Sequence, residues 1–388
     1  MSPFPPPERL RGGHGAKWTA VPDDVLPAWV ADMDLGFPPE VAAALQEAIA
    51  RQDLGYPFWA EGDPVIAAFE TRMHTHHGWT PRPGRTRVFS DLIQVLQIVV
   101  EHTTGPGDWV ALQVPNYPPF LAAIERAGRR LLALPFDESA DGWTVDLDRY
   151  RQLFAQHRPK LFVLVNPHNP TGRAFTRAEL DGLAALAVDY RATVLADEIH
   201  SDLMYPPHAH IPFSSLGADV EELTITATSA TKAFNLAGTR CAVAHIGHAP
   251  TAAALDCAPL DYFGTPSVLS RVATVAAWQH GGAWQREVQE LLAANRARLA
   301  EWVASHPGLT SHAPQATYLS WIDFGCTALS VDPAAQLLER CRVQLSPGAD
   351  FAQHSDVDTS SFARLNFATT PALLERILAR ISDALACP

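Results

Sequence analysis

The chain has 388 residues, 47% apolar and 18% charged, the composition of a folded globular protein long enough for two domains rather than of a disordered chain. Its formal net charge of −13 argues against nucleic acid and against an anionic membrane surface, because both demand a basic face. No apolar run reaches the length of about 18 residues needed to span a bilayer, and the proline-rich lead MSPFPPPERLRGGHG lacks the apolar core of a signal peptide. The five cysteines, Cys241, Cys257, Cys326, Cys341 and Cys387, are odd in number and have no paired spacing. That fits reduced thiols in the cytoplasm, with neither a disulfide framework nor a zinc site.

In chain order, HTHHGW at 74–79 reads as a solvated helix end rather than a metal site. Seven short apolar runs then read as strands: 86–89, 109–114, 130–134, 160–165, 192–196, 223–228 and 241–246. Most are almost continuously apolar, as strands buried on both faces are. Helical patterns fill several intervals, among them LIQVLQIVVEHT after Asp91 and TRAELDGLAALAVDY, where Thr176 and Glu179 form a capping box. The alternation predicts an α/β architecture with a seven-stranded, mostly parallel sheet and helices on both faces. Beyond about residue 270 a long helical pattern over 268–306 leads to two short strand runs, ATYLSWIDF and SFARLNF, and closing helices. This reads as a smaller α+β domain. The expected division is 1–45 as lead and part of the small domain, 46–270 as the large domain, and 271–388 as the small C-terminal domain.

Open α/β sheets bind ligands beyond the carboxyl ends of their strands, and polar residues cluster at those ends here. Asp91 follows the first strand, Asn116 and Tyr117 the second, NPHNPTG (166–172) the fourth, DEIH (197–200) the fifth, and Ser229, Thr231 and Lys232 the sixth. Alone, Lys232 would read as a lysine paired with a surface carboxylate. Its neighbours point elsewhere. A desolvated lysine can lose its proton and attack a carbonyl, while Ser229, Thr231 and Arg240 are suited to phosphate. A phosphorylated aldehyde, pyridoxal phosphate, satisfies them together, with Lys232 forming the Schiff base. Asp197 would keep the cofactor's ring nitrogen protonated; its plain alternative is a helix N-cap. Asn169 is placed to donate to the ring hydroxyl or to serve as a turn residue. Tyr117 offers an aromatic face, and the helix starting near Leu92 and Ile93 offers backbone N–H groups to the phosphate.

The motifs NPHNPTG, ADEIH and SATKAFNLAGTR resemble those of the class I/II aminotransferase superfamily of fold-type I pyridoxal-phosphate enzymes. Within it the chain is most similar to the cystathionine β-lyase group typified by MalY and PatB, through AWVADMDLGFPPEV (28–41), LGYP (54–57), DEIHSDL (197–203), HIPFSSL (210–216) and TPSVLS (265–270). His200 stands where ordinary aminotransferases carry a tyrosine. The resemblance implies a homodimer with shared active sites, in which Tyr56 reaches the neighbouring subunit's phosphate. It implies that Arg364 clamps the substrate α-carboxylate, that Asp32 and Met33 line the substrate pocket, and that Tyr318 approaches it unless it is a core residue. Where relatives have glycine or a small hydroxyl residue in the phosphate loop, this chain has Asp91. The expected arrangement is an Asp91 N-cap turned away, with the Leu92 and Ile93 amides making the contacts.

The implied reaction is β-elimination from an S-substituted cysteine, giving a thiol, pyruvate and ammonia. Transamination of an amino acid with a 2-oxoacid uses the same Lys232, Asp197 and Arg364 and is the alternative. A purely regulatory pyridoxal-phosphate-binding role is a minor third, since the lead is too short for a helix-turn-helix.

Overall fold

The computed structural model describes residues 5–259 and 262–386, so Cys387 and the first four residues of the lead lie outside the described residues. Seven strands form the main sheet: β1 (Thr86–Phe89), β2 (Trp109–Val114), β3 (Arg130–Pro135), β4 (Leu161–Val165), β5 (Thr193–Asp197), β6 (Thr224–Thr228) and β7 (Ala242–Ile246). Their order is β3-β2-β4-β5-β6-β7-β1. All neighbours run parallel except β7, which is antiparallel to both β6 and β1. Each predicted strand falls within one residue of its observed bounds.

The central strands are buried along their whole length because helices cover both faces. On one face lie α3 (Leu92–Thr103), α4 (Pro118–Arg126) and α7 (Ala249–Cys257), which follow α1 (Pro39–Ala50) and α2 (Pro64–His77) in the chain. Their Leu96, Ile124 and Ala252 share a core with β2, β4 and β6. On the other face, α5 (Leu147–His157) and α6 (Arg177–Tyr190) bury Tyr150, Phe154, Leu180 and Leu183 against Phe162 and Leu164. The Thr176–Glu179 capping box opens α6 as expected.

The predicted long helix over 268–306 is two helices, α8 (Val268–His280) and α9 (Gly282–Ala304). They part at Gly281, where a Cβ would stand 2.7 Å from the Ala277 carbonyl and 2.9 Å from the Phe234 ring. Only a residue without a side chain lets the chain turn that close to Phe234. The reading of 74–79 as a solvated helix end also needs a correction. His74 and His76 are exposed, but His77 turns inward, its ring centroid 5.2 Å from that of His210. Burial drops its pKa to about 4.

A second sheet holds β8 (Leu319–Asp323), β9 (Ser346–Pro347) and β10 (Phe362–Asn366), antiparallel in the order β8-β10-β9. Two helices belong with it: α10 (Pro333–Cys341), between β8 and β9, and α11 (Pro371–Ala386), after β10. Leu26 and Pro27 pair in parallel with Val343 and Gln344. This pairing feeds residues 28–35 between the two sheets. A single hydrophobic cluster there joins Ala28, Met33 and Leu35 to Phe234 and Ala277, and to Tyr318, Leu365 and Ile377. Among the described residues no helix is long and apolar enough to cross a membrane, and no group of three His, Cys, Asp or Glu side chains is placed to hold a metal ion.

Candidate active site

A cavity of about 570 Å³ opens at the carboxyl edge of the main sheet. Its wall includes Ser90, Asp91, Leu92 and Ile93 after β1, Tyr117 after β2, Asn169 after β4, Asp197 and His200 at the end of β5, and Ser229, Thr231 and Lys232 after β6. Arg240 and Cys241 also line it. They precede β7, and because β7 runs backwards its amino end reaches the same edge. The second sheet closes the cavity with Ser346 and Arg364, the helical turn after β9 adds Phe351, and the segment at Trp29–Ala31 forms a further wall.

Lys232 Nζ donates to the Ala31 carbonyl over 2.7 Å and stands 4.0 Å from Asp32 Oδ1. Burial lowers its pKa, with the Asp32 charge opposing and the Arg364 charge assisting. The Asp197 carboxyl is pushed up to about 7 by burial, against the Ile199 amide, which donates to Oδ1 over 3.0 Å. His200 falls to about 3 through burial and the Lys232 and Arg364 charges, so its ring is neutral. Its Nδ1 has no partner among the described residues.

Arg364 is 5% exposed and forms no ion pair among the described residues. Its Nη1 donates to Asn169 Oδ1 over 3.0 Å, and its Nη2 donates to the Trp29 carbonyl over 2.6 Å and to Ser346 Oγ over 3.1 Å. Its plane lies over Phe351, 4.9 Å from the ring centroid, and Nε is buried without a partner. Burial brings its pKa down to about 10. An arginine held this way offers an unused donor and an uncompensated charge, which a carboxylate would satisfy.

At the head of α3, Asp91 Oδ1 accepts from the Gln94 amide over 2.8 Å as an N-cap. Its other oxygen pairs with Arg240. The Asp91 N-cap is as expected, but its side chain is not turned away: it lines the cavity, and its second oxygen is held there by the guanidinium of Arg240, the arginine read as a phosphate ligand. The Leu92 and Ile93 amides, in the first turn of α3, have no acceptor within the described residues. Ser229 Oγ lies 2.9 Å from Thr231 Oγ1 and 2.5 Å from the Cys241 carbonyl. Tyr117 opens α4, with its amide donating to Asn116 Oδ1 over 2.8 Å.

Four sequence-derived candidates do not line the cavity within one chain. Tyr56 is 97% exposed and is not among the lining residues. Met33 is packed in the core, with its amide and carbonyl both bound by the Asn235 side chain. Asp32 approaches through its carboxylate beside Lys232. Tyr318 is 1% exposed and its hydroxyl donates to the Ala31 carbonyl over 2.8 Å, so it stands behind the wall. Sequence reasoning missed Trp29, Ser346 and Phe351, and also Asn366, whose Nδ2 donates to the Val30 and Asp32 carbonyls. Position beside Arg364 was the one available signal for Asn366.

Residues 31–381 match the family described as aminotransferase class I and II. The cystathionine β-lyase PatB of Bacillus subtilis is 32% identical, covering 97% of this chain and 98% of that protein. The crystal structure of OvoB superposes with a TM-score of 0.92 at 31% identity, over 100% of this chain and 99% of that one. The PLP-bound C–S lyase from Staphylococcus hominis does so with a TM-score of 0.89 at 26% identity, over 96% of each chain. A site built at the carboxyl edge of the main sheet, on a fold shared over nearly the full length with these proteins, has one assignment: the chain belongs to the aminotransferase class I and II family.

Proposed function

We propose that this chain is a pyridoxal-phosphate-dependent C–S β-lyase, which cleaves an S-substituted cysteine to a thiol, pyruvate and ammonia. The observation that carries it is the convergence of a desolvated Lys232, a buried Asp197 and an ion-pair-free Arg364 on one cavity. The names of the relatives, cystathionine β-lyase and C–S lyase, favour elimination over amino transfer.

The residues fit the cofactor. The acceptor-free amides of Leu92 and Ile93 and the hydroxyls of Ser229 and Thr231 lie around Arg240, a donor set for a phosphate. Asp197, fully buried, gains a natural counter-charge in a protonated ring nitrogen. Asn169, Tyr117 and His200 line the space between, suited to a ring hydroxyl and a ring face. Bound there, pyridoxal phosphate supplies an aldehyde for Lys232 and an electron sink for the substrate's α-carbon.

Arg364 binds the substrate carboxylate, and Asn169 and Ser346 fix the plane of its guanidinium. This orients the α-carbon toward Lys232. Lys232, its pKa lowered by desolvation, takes the α-proton on Nζ. The Ala31 carbonyl and Asp32 then stabilise the ammonium so formed. Asp197 would supply the negative charge that keeps a bound ring nitrogen protonated, while neutral His200 adds none.

The chain's exposed Tyr56, with Leu54 and Phe58 beside it at 54% and 86% exposure, supports a homodimer in which Tyr56 enters the neighbouring subunit's site. The substrate is a small amino acid, and the enzyme works in the cytoplasm. Residues 46–270 form the large cofactor-binding domain; 1–45 and 271–388 supply the lead and the small domain.

The test is product analysis with an S-alkyl cysteine, with and without 2-oxoglutarate. Pyruvate and thiol without the ketoacid are expected. Turnover only with the ketoacid, yielding glutamate, would make the protein an aminotransferase and overturn the reading.

A further inference from the structure

Ala31 presents one carbonyl oxygen to two donors. Lys232 Nζ approaches it from the cavity at 2.7 Å, and Tyr318 Oη from behind the wall at 2.8 Å. Nothing requires a core tyrosine to choose this acceptor. Tyr150 and Tyr205, also buried, settle on carbonyls that Lys232 does not touch, at Leu134, Pro135 and Thr317.

The backbone around Tyr318 is over-determined in a way that aims it. Thr317, just before it, has φ +68°, a left-handed conformation that a β-branched residue adopts only under constraint. Three contacts impose it. The Thr317 amide donates to the Leu203 carbonyl over 2.9 Å. Its carbonyl accepts from Tyr205 Oη over 2.7 Å, and its hydroxyl accepts from the Leu319 amide over 3.1 Å. The Tyr318 ring packs edge-on against His200 at 6.2 Å between centroids. Opposite, Asn366 holds the Val30 and Asp32 carbonyls and Asn235 holds Met33 and Leu35, so the Ala31 carbonyl cannot swing to follow one donor.

We infer that Tyr318 is a positioning residue for Lys232: by occupying part of the Ala31 carbonyl it limits how strongly that oxygen holds the lysine ammonium, and so keeps the amine available as nucleophile and base. The inference rests on the reading of Lys232 as the reactive amine. A carbonyl that already accepts one hydrogen bond is a poorer acceptor for the second donor. Losing the tyrosine hydroxyl turns the oxygen wholly toward Lys232 and favours its protonated form. The other charged or titratable groups facing the amine are Asp32, Asp197, Arg364, Arg240 and His200, and none is altered by removing that hydroxyl.

The test uses the full chain freed of cofactor and follows, by absorbance, the rate at which Lys232 forms the yellow imine with added pyridoxal phosphate as a function of pH. In Tyr318→Phe the rate below the amine's pKa should fall about two- to tenfold, the worth of one net hydrogen bond, and the pH–rate curve should move to higher pH. Tyr150→Phe loses the same buried hydroxyl far from the cavity and should follow the wild-type curve even where its thermal stability drops. Should Tyr318→Phe fail to fold, 3-fluorotyrosine placed at Tyr318 carries the test: its more acidic hydroxyl donates more strongly to the Ala31 carbonyl and should move the pH–rate curve the opposite way, to lower pH, by about twofold in rate. A wild-type curve in the folded variant overturns the inference and leaves the Lys232 reading standing. Imine formation by Lys232→Ala at the wild-type rate sinks that reading instead, whatever the tyrosine variants do.

Discussion

Arg364 and Asn169, 195 residues apart in sequence, meet at the floor of the cavity, with guanidinium Nη1 donating to the amide oxygen over 3.0 Å. The contact ties β10 of the second sheet to the loop after β4 of the first. It also sets which edge of the guanidinium faces the open space, because Nη2 is committed to Trp29 and Ser346.

Removing that fork should therefore weaken substrate binding far more than it disturbs the fold. For Arg364→Ala we expect kcat/KM to fall about 10²- to 10⁴-fold, equivalent to about 3–5 kcal/mol. Arg364→Lys keeps the charge but cannot make the paired contact, and should recover only part of the loss. Steady-state kinetics with an S-alkyl cysteine checks both.

Asp197 gives a stability prediction with a definite sign. Burial raises its folded pKa to about 7 from 3.8, so between those values the folded protein holds a proton that the unfolded chain has released. In the cofactor-free protein, stability from this group is fully present below pH 3.8 and is lost as pH rises through 7. Asp197→Asn, which never ionises, should then be more stable than wild type at pH 8, by about 4 kcal/mol at most, with the advantage vanishing toward pH 4. Denaturant melts of both proteins across that range test it. The difference cancels the opposite titration of His200, whose folded pKa is depressed. The same variant should lose catalysis, the usual conflict between a strained site and stability.

Asp91 should act on the cofactor's phosphate through Arg240. Asp91→Asn keeps an N-cap oxygen but removes a negative charge from the phosphate-binding edge. Affinity for inorganic phosphate and for pyridoxal phosphate should rise about fivefold, the effect of about 1 kcal/mol of relieved repulsion. Asp91→Ala should in addition lose about 1 kcal/mol of stability with the cap. Titration calorimetry separates the two.

Lys17 and Asp34 form a buried ion pair at 2.9 Å, with side chains 3% and 2% exposed. The Trp18 indole N–H donates to the second Asp34 oxygen over 2.6 Å. Lys17→Ala leaves that carboxylate uncompensated and should cost about 3–5 kcal/mol, seen as a lower denaturation midpoint. Because Lys17 Nζ also donates to the Asp32 carbonyl over 3.3 Å, the variant should bind cofactor less tightly as well.

The seven strands of the main sheet were legible because burial on both faces writes an uninterrupted apolar run, and turn chemistry bounds each one. Lys232, Asp197 and Asn169 were legible for a related reason: each is a polar residue at the end of such a run. What stayed hidden works through main-chain atoms, which carry no residue code. Asn235 and Asn366 hold the carbonyls of residues 30–35, and Trp29 contributes its own carbonyl to Arg364. The break at Gly281 was masked by a helical pattern that continues with the same period on both sides. The inward turn of His77 depends on His210, 133 residues away, which no local pattern reports.

The wall at residues 29–35 has a consequence for how the protein is made. It is translated before the main sheet, yet Tyr318, Arg364 and Asn366, which hold it from the second sheet, follow 287 to 336 residues later. The main sheet is complete by Ile246 and can form while synthesis continues. The cavity cannot: Asn235 can hold Met33 and Leu35 once the sheet is made, but the Trp29 and Val30 carbonyls wait for Arg364 and Asn366, 335 and 336 residues further on. Lys232 accordingly gains its Ala31 contact late, so pyridoxal phosphate should be captured in its final geometry only once the second sheet has been made.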